Sequence, residues 1–366
     1  RQRQMCIRDR IRVNASAIAL PMPCEKKPIN GSTNAPRSMR ANLLHTMARK
    51  KGPPAMPLPP RSGLGASRAR VPEGDGIRAI DFIWHLVSTQ RHRHPEDNFS
   101  AVQQRFDDSL VVHRDTTPIS PEDWLEPGTD VFFYRRPAPE TPVPYDIVPV
   151  FEDDNILVVD KPPFLATMPR ASHITETATV RLRRLTGNEE LTPAHRLDRG
   201  TSGLLLLTKR REVRGAYQEL FARREVDKMY EAIAPYVALS VPADWSHHLV
   251  KVAGEAAGSV VVGEEPNSHT EVASVTRLPA EQEQELQSLY GVTAPLGRYV
   301  LHPTTGRTHQ LRLQMMTEAA PILGDTIYPV LLPADAEDFS RPMRLRCIGL
   351  GFVDPLTGED RSFALN

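Results

Sequence analysis

The stretch His195-Arg196-Leu197-Asp198-Arg199-Gly200-Thr201-Ser202-Gly203-Leu204-Leu205 decides how this chain is read. An aspartate sits between basic residues and a Thr-Ser-Gly turn, and the apolar run Leu204 to Leu207 follows at once as a buried strand. A carboxylate at a strand entrance, ringed by arginines, stays ionised beside an anionic partner, because opposite charge favours the ionised form. That combination describes a reactive position for a polyanion, with RNA the first candidate. An isolated aspartate here would read first as a structural cap on the turn, since structural ion pairs are common.

Two further strings carry chemistry. Lys228-Met229-Tyr230-Glu231-Ala232 opens a strand downstream of Asp198. A tyrosine ring can stack on a base that has left its helix, and its phenol can shuttle a proton; on this string alone a core tyrosine is the better reading. The third string is Thr305-Gly306-Arg307-Thr308-His309-Gln310-Leu311-Arg312-Leu313-Gln314-Met315. Gly306 permits a tight approach, and Leu311 and Met315 share one helical face. Arg307 is expected to pair with Asp198 and to enter the gap left by an extruded nucleotide. His309 and Arg312 are candidates for binding phosphate or supporting the site. A surface salt-bridge network is the competing reading.

With these three strings in this order, the chain resembles the RluA-type pseudouridine synthases. Val158-Val159-Asp160-Lys161-Pro162 and Ile322-Leu323-Gly324-Asp325 followed by Tyr328 are similar to the same family. The resemblance runs from about residue 146 to the C-terminus, and the whole string around Asp198 now favours chemistry over capping. It implies an α+β pseudouridine synthase catalytic fold with a mixed, mainly antiparallel central sheet. It also implies an isomerase that turns a uridine within ribosomal or transfer RNA into its carbon-linked isomer, without metal, nucleotide or organic cofactor. Asp198 would be the catalytic carboxylate, attacking the ribose anomeric carbon or removing the 2′ proton. Tyr230 would pack on the target base and help take the proton from carbon 5, and Arg307 would pair with Asp198 and assist extrusion. Arg196, Arg199, Lys161, His309 and Arg312 would bind substrate. Extruding a base costs a few kcal/mol and is cheapest in loops. Three positions depart from the family pattern: Gln314 stands where histidine is frequent, Phe164 where glycine commonly follows Lys-Pro-x, and Pro169 near an expected histidine.

Charge divides the chain. Residues 1–70 hold 15 Lys and Arg against 2 Asp and Glu, which leaves 30 against 43 in the remainder. An acidic body binds nucleic acid through a local patch rather than through its global charge. Residues 170–230 supply that patch, with 13 Lys and Arg against 8 Asp and Glu. Residues 1–70 read as a disordered, basic, Pro-rich leader. Its first ten residues lack an initial Met and back-translate to a sequencing-library adaptor, so an artefactual extension without functional weight is expected. Residues 71–136 read as a small α/β module, similar to the RNA-binding module that often precedes this catalytic domain. Within it Asp81 to Val87 and Val102 to Phe106 are expected as helices, and Leu110 to Val112 and Val131 to Tyr134 as strands. Residues 137–145 read as a stiff Pro-rich linker, and 146–366 as the catalytic domain. There, helices are expected over Ala178 to Leu185 and Glu212 to Arg224, and Glu281 to Gln287 is expected as a solvated insertion.

Several function classes drop out. No apolar run approaches the roughly 18 residues of a membrane span, and no Walker, dinucleotide or nucleophile-elbow motif is present. Cys6, Cys24 and Cys347 are too far apart for a metal motif or a disulfide framework, which points to a reducing, cytoplasmic setting. A monomer is expected. Two rivals stand beside the isomerase: a non-catalytic RNA-binding or ribosome-assembly factor on the same fold, and a glycosidic hydrolase. The hydrolase generally needs a pair of carboxylates, and no partner for Asp198 stands out.

Overall fold

Leu204, Leu205, Leu206 and Leu207 expose no surface at all, a state a strand reaches only when both faces of its sheet are covered. Each such leucine contributes about 2 kcal/mol of burial. In the computed structural model, which describes residues 56–333 and 336–365, these leucines lie on an interior strand of a large sheet.

The N-terminal module comprises β1 (Ser67–Arg70), β2 (Ile77–Arg78), α1 (Ala79–Ser88), α2 (Phe99–Asp107), β3 (Val111–Val112), β4 (Trp124–Leu125) and β5 (Asp130–Phe133). Strands pair in the order β1-β5-β3, with β2-β4 apart. Helix α2 starts where Asn98 accepts from the Ala101 N–H, the usual service of an Asn cap. The apolar stripe of α1 (Ile80, Phe82, Ile83, Val87) packs on Val102, Phe106, Val131 and Phe133 to form the module's core.

The main body follows as β6 (Val148–Glu152), β7 (Ile156–Lys161), α3 (Ala178–Thr186), β8 (Thr192–Pro193), β9 (Ser202–Thr208), α4 (Arg211–Arg223), β10 (Val226–Pro235), β11 (Ala243–Val250), β12 (Ser259–Val261), β13 (Ser268–Arg277), α5 (Ala280–Tyr290), β14 (Leu296–Pro303), α6 (Gln310–Thr317), β15 (Leu345–Val353) and β16 (Asp360–Ala364). One sheet runs β12-β11-β13-β14-β10-β15-β9-β7-β6, with β16 on β15 and β8 on β9. Its pairs are antiparallel except β15 with β9, so the sheet is mixed and mainly antiparallel, as the resemblance implied. Two apolar clusters cover it, one around β7 and β9 and one joining β10, β14 and α6. Among the described residues, no helix is long and apolar enough to cross a membrane.

Four expectations change. Residues 1–55 of the expected leader lie outside the described residues, but the stretch that follows is built into the fold: Leu58 packs on Val112 and Phe132 of the module, β1 pairs with β5, and the Ser62 and Gly63 carbonyls accept from Arg184 and Arg183 of α3. Proline-rich composition masked these contacts because they are made with residues far along the chain. The expected linker 137–145 is fastened to the body, since the Glu140 carboxylate accepts from the N–H groups of Ile174, Thr175 and Glu176 and Val143 is buried. Glu281 to Gln287 lies in α5, anchored by Leu286 against Leu278, Leu296 and Ile233. Lys161, expected to bind substrate, is wholly buried. Its amine donates to the carbonyls of Pro162 and Leu165 at 2.8 Å and of Arg199 at 3.4 Å, so it ties β7 to the loop after Asp198 and cannot reach RNA.

The departure at Phe164 also has a local reason. Its φ of 66° lies in the left-handed region, which glycine adopts without strain and other residues at about 1–2 kcal/mol. Packing offsets that cost: Phe164 stacks on Tyr145 and meets Phe339 edge-on.

Gly203 should not tolerate a side chain. Its φ is +105°, and an added Cβ would lie 2.2 Å from the Cys347 carbonyl oxygen on the parallel neighbour. Gly203→Ala is expected to lower unfolding free energy by about 3 kcal/mol or more. Gly215→Ala on the open face of α4, where a Cβ meets nothing, should raise it by about 0.5–1 kcal/mol; urea denaturation of both variants checks the contrast. Burial pushes the Lys161 amine down from 10.5 to about 7. Between those values the unfolded chain binds the extra proton, so stability rises with pH. The stability of the parent relative to Lys161→Met should therefore climb by roughly 2–4 kcal/mol across that window, measured by denaturation at stepped pH.

Candidate active site

Asp198 is held by its backbone before any charge acts on it. Thr167 Oγ1 donates to the Leu197 carbonyl at 2.8 Å and accepts from the Leu197 N–H at 3.1 Å, and Leu197 is buried. The Asp198 carbonyl then accepts from the Thr201 N–H at 3.1 Å, closing the turn into β9. His195 serves the same framework: its Nε2 accepts from the Leu206 N–H at 3.1 Å, and its ring stacks on Phe221. Burial pushes this imidazole down to about 3, so it is a neutral acceptor rather than a charge for substrate.

Strand register brings the other strings to Asp198. Gly203 on β9 lies opposite Cys347 on β15, and Cys347 lies opposite Tyr230 on β10. A bulge between Met229 and Tyr230 sets that last pairing and re-aims the tyrosine, a common use of bulges beside sites. Tyr230 lies in turn opposite Leu301 on β14, and β14 runs out into the loop that carries Arg307. The three sequence strings thus converge at one end of the sheet.

Arg312, in the first turn of α6, is the charge closest to Asp198. Its side chain is 6 % exposed. Nε and Nη2 each donate to Asp325 at 2.7 Å, and Nη1 reaches Asp198 Oδ2 at 3.5 Å. Burial opposes a charge on Arg312, but the hydrogen bonds and charge of Asp325, with Asp198 behind, outweigh it and hold the guanidinium protonated. His309 Nε2 stands 4.0 Å from the same Asp198 oxygen. The Tyr328 hydroxyl accepts from the Gly258 N–H, so its own hydrogen is left for His309 Nδ1 at 3.0 Å. That network assigns the Nε2–H tautomer, facing Asp198. Burial pushes His309 down to about 4, so the ring is neutral near pH 7. His309 also has φ 58° at the entrance to α6, strain of the kind that gathers at functional sites.

Asp198 therefore pairs with Arg312, where Arg307 was expected. Arg307 is exposed and its Nε donates to the Asn267 carbonyl at 3.2 Å, while its own N–H is capped by Gln310 Oε1. Helical geometry explains the exchange: Arg312 lies on the buried side of α6 and Arg307 precedes the helix. Both nevertheless line one cavity of about 360 Å³, together with Asp198, Tyr230, Arg196 and His309. Arg199 does not line it; its guanidinium is engaged by both carboxylate oxygens of Glu337. Gln314 does not line it either, being buried between Thr270 and the Trp245 carbonyl, so that departure concerns how α6 seats on the sheet.

Sequence reasoning missed four participants. Lys228 and Arg224 line the cavity, and Lys228 donates to the Thr305 carbonyl. Asp325 and Tyr328 position Arg312 and His309. The string Gly324-Asp325 was visible as family-like, but nothing local said which charge it would hold. Tyr230 shares a side-chain hydrogen bond with Cys347, and burial holds its hydroxyl protonated well above the ordinary phenol range.

Chemically, Asp198 is the one acid among the described residues lining the cavity, against five Arg and Lys side chains. A single carboxylate in a cationic bowl suits a reaction on an anionic polymer and lacks the paired carboxylates of glycoside hydrolysis. Residues 155–317 match the family model described as RNA pseudouridylate synthase. Dual-specificity RNA pseudouridine synthase RluA of Pasteurella multocida is 32% identical over 216 residues, spanning 59% of this chain and 90% of that protein. The Escherichia coli K12 protein of the same name is 31% identical over 222 residues, spanning 59% and 91%. A solved structure, Human RNA Pseudouridylate Synthase Domain Containing 1, aligns at 22% identity with a TM-score of 0.48, covering 62% of this chain and 85% of that one. The cationic cavity around Asp198 and the length of the two RluA matches lead to one assignment: the chain belongs to the RluA-type RNA pseudouridine synthases, enzymes that isomerise uridines in RNA.

Proposed function

We propose that the cavity around Asp198 takes a flipped-out uridine of ribosomal or transfer RNA and isomerises it with this chain's own side chains. The observation that carries this is the isolation of Asp198 as the single acid, among the described residues, in a cavity lined by Arg196, Arg224, Lys228, Arg307 and Arg312. The cations serve the phosphates around the target, and one carboxylate serves the sugar. Asp198 acts on the ribose, at the anomeric carbon or at the 2′ proton, freeing the uracil to rotate and rejoin through carbon 5.

Tyr230 packs against the base. Because burial keeps its hydroxyl protonated, it relays the carbon-5 proton by taking it as its own proton passes to the base nitrogen released when the glycosidic bond broke, rather than standing by as a phenolate. Arg312 orients Asp198, and His309 directs a neutral N–H toward the same oxygen. Arg307, at the open side and with its guanidinium held, among the described residues, by the Asn267 carbonyl, is free to enter the space left by the extruded nucleotide. In keeping with the family resemblance, the scheme takes the enzyme to work as a monomer in the cytoplasm without a nucleotide cofactor. A pure RNA-binding factor would gain nothing from a pinned carboxylate backed by a buried ion network.

Asp198→Asn should cut pseudouridine formation in cellular RNA by roughly 10²–10⁴-fold, read by mapping new pseudouridines. Undiminished product would remove the carboxylate from the mechanism and with it this reading. The two arginines should separate. Arg307→Ala should slow turnover without lowering the melting temperature, whereas Arg312→Ala strands the buried Asp325 and should destabilise by about 3–5 kcal/mol. Arg312→Lys keeps the charge without the fork and should recover part of the stability. Equal melting temperatures for both alanine variants would contradict the division of labour.

A further inference from the structure

The cations of the catalytic cavity differ in depth. Arg196, Arg224 and Arg307 are exposed, and Arg312 is buried against Asp325 and Asp198. Lys228 falls in neither group. It lines the cavity and is half-buried, yet no acidic side chain pairs with it among the described residues, and burial lowers the pKa of its amine. That amine donates to the Thr305 carbonyl at 3.2 Å, and the carbonyl accepts no other hydrogen bond among the described residues. An ammonium carries three donors and a carbonyl oxygen two lone pairs, so both partners keep capacity for a ligand.

Position decides which ligand. Lys228 and Tyr230 lie two residues apart on β10, so they share one face of the strand, and both line the cavity. With the Tyr230 ring against the target base, Lys228 and Thr305 stand at the edge of that base, deeper than the exposed arginines that suit its phosphates. A flipped base is read by hydrogen bonds to its Watson–Crick edge. Uracil presents there the acceptor O4 beside the donor N3–H, the complement of an amine beside a carbonyl. Cytosine presents an amino donor beside the acceptor N3, and so meets the same pair donor to donor and acceptor to acceptor.

The rearrangement suits such a pair as well. To rejoin through carbon 5, the freed uracil makes a half-turn about the line through N3 and carbon 6. That turn exchanges N1 with carbon 5 and O4 with O2, and returns N3–H to its place. One amine and one carbonyl therefore hold the base before and after the turn, with O2 taking the place of O4.

We propose that Lys228 and the Thr305 carbonyl are the uracil-reading pair of this enzyme, the amine donating to O4 of the target base and the carbonyl accepting from its N3–H. The proposal rests on the RNA-isomerase reading above. It deepens that reading by giving Lys228 a base edge to hold in place of a phosphate.

The test uses the full chain carrying Asp198→Asn, so that substrate is bound without being consumed. The probe is a fluorescein-labelled hairpin spanning the strongest uridine site that the parent modifies in cellular RNA, made with uridine, cytidine or 4-thiouridine at the target. Anisotropy should show the uridine hairpin binding roughly 10–100-fold more tightly than the cytidine hairpin, and more tightly than the 4-thiouridine hairpin, whose sulfur is a weak acceptor. Adding Lys228→Met should shrink the preference over cytidine about tenfold and abolish the preference over 4-thiouridine. Adding Arg224→Gln, at the exposed rim, should weaken all three alike. Equal losses on all three hairpins with Lys228→Met, with a flatter slope of log affinity against log salt, would make Lys228 a phosphate ligand and overturn the proposal. No preference for uridine over cytidine while Lys228 is intact would overturn it too, whether or not the methionine variant folds. A parent that forms no pseudouridine in cellular RNA would overturn the isomerase reading, and this one with it.

Discussion

The guanidinium of Arg312 joins three separate segments: the loop before β9, the start of α6 and the turn at Asp325. Two of its nitrogens are spent on Asp325, and the third is thereby aimed at Asp198. A buried ion pair of this kind adds little net stability against an apolar replacement, so its physical contribution is orientation. The fork geometry fixes the plane of the guanidinium, and that plane fixes where the carboxylate of Asp198 finds its counter-charge. Tyr328 extends the arrangement by holding His309 in the tautomer that faces the same oxygen.

Stability comes from elsewhere. Two-sided burial of β7 and β9, and the packing of α6 over β10 and β14, supply the apolar energy that keeps this polar network in place. The sheet also sets the distances. Gly203, Cys347 and Tyr230 form a row across three strands, and the close parallel approach of β9 to β15 requires that the first of them carry no side chain. The catalytic end of the sheet is thus defined by backbone register, with the ionic contacts as a finer adjustment.

Much of this was legible in the residues. The leucine run announced a doubly covered strand, the helices at 178–186 and 211–223 followed from their apolar spacing, and the strings around Asp198, Tyr230 and Arg307 reached one cavity. The errors share a cause. Arg307 was preferred to Arg312 as the partner of Asp198 because it sits in the more distinctive string, yet helix phase places Arg312 on the buried side. Lys161 and Arg199 were read as cations for RNA because charge on paper looks exposed; one is consumed by three carbonyls and the other by Glu337. Glu281 to Gln287 looked solvated because its single anchor, Leu286, is outnumbered by polar neighbours.

The amino-acid sequence by itself determined the alternation of buried strands and amphipathic helices and the locally cationic character around residue 198, because periodicity and motif spacing are properties of neighbouring residues. Tertiary structure alone decided which arginine faces Asp198 and which cations are left to line the cavity. Those outcomes depend on strand register and helix phase between segments 114 and 138 positions apart, and burial, which determines what a charge can do, is defined only once those segments have packed.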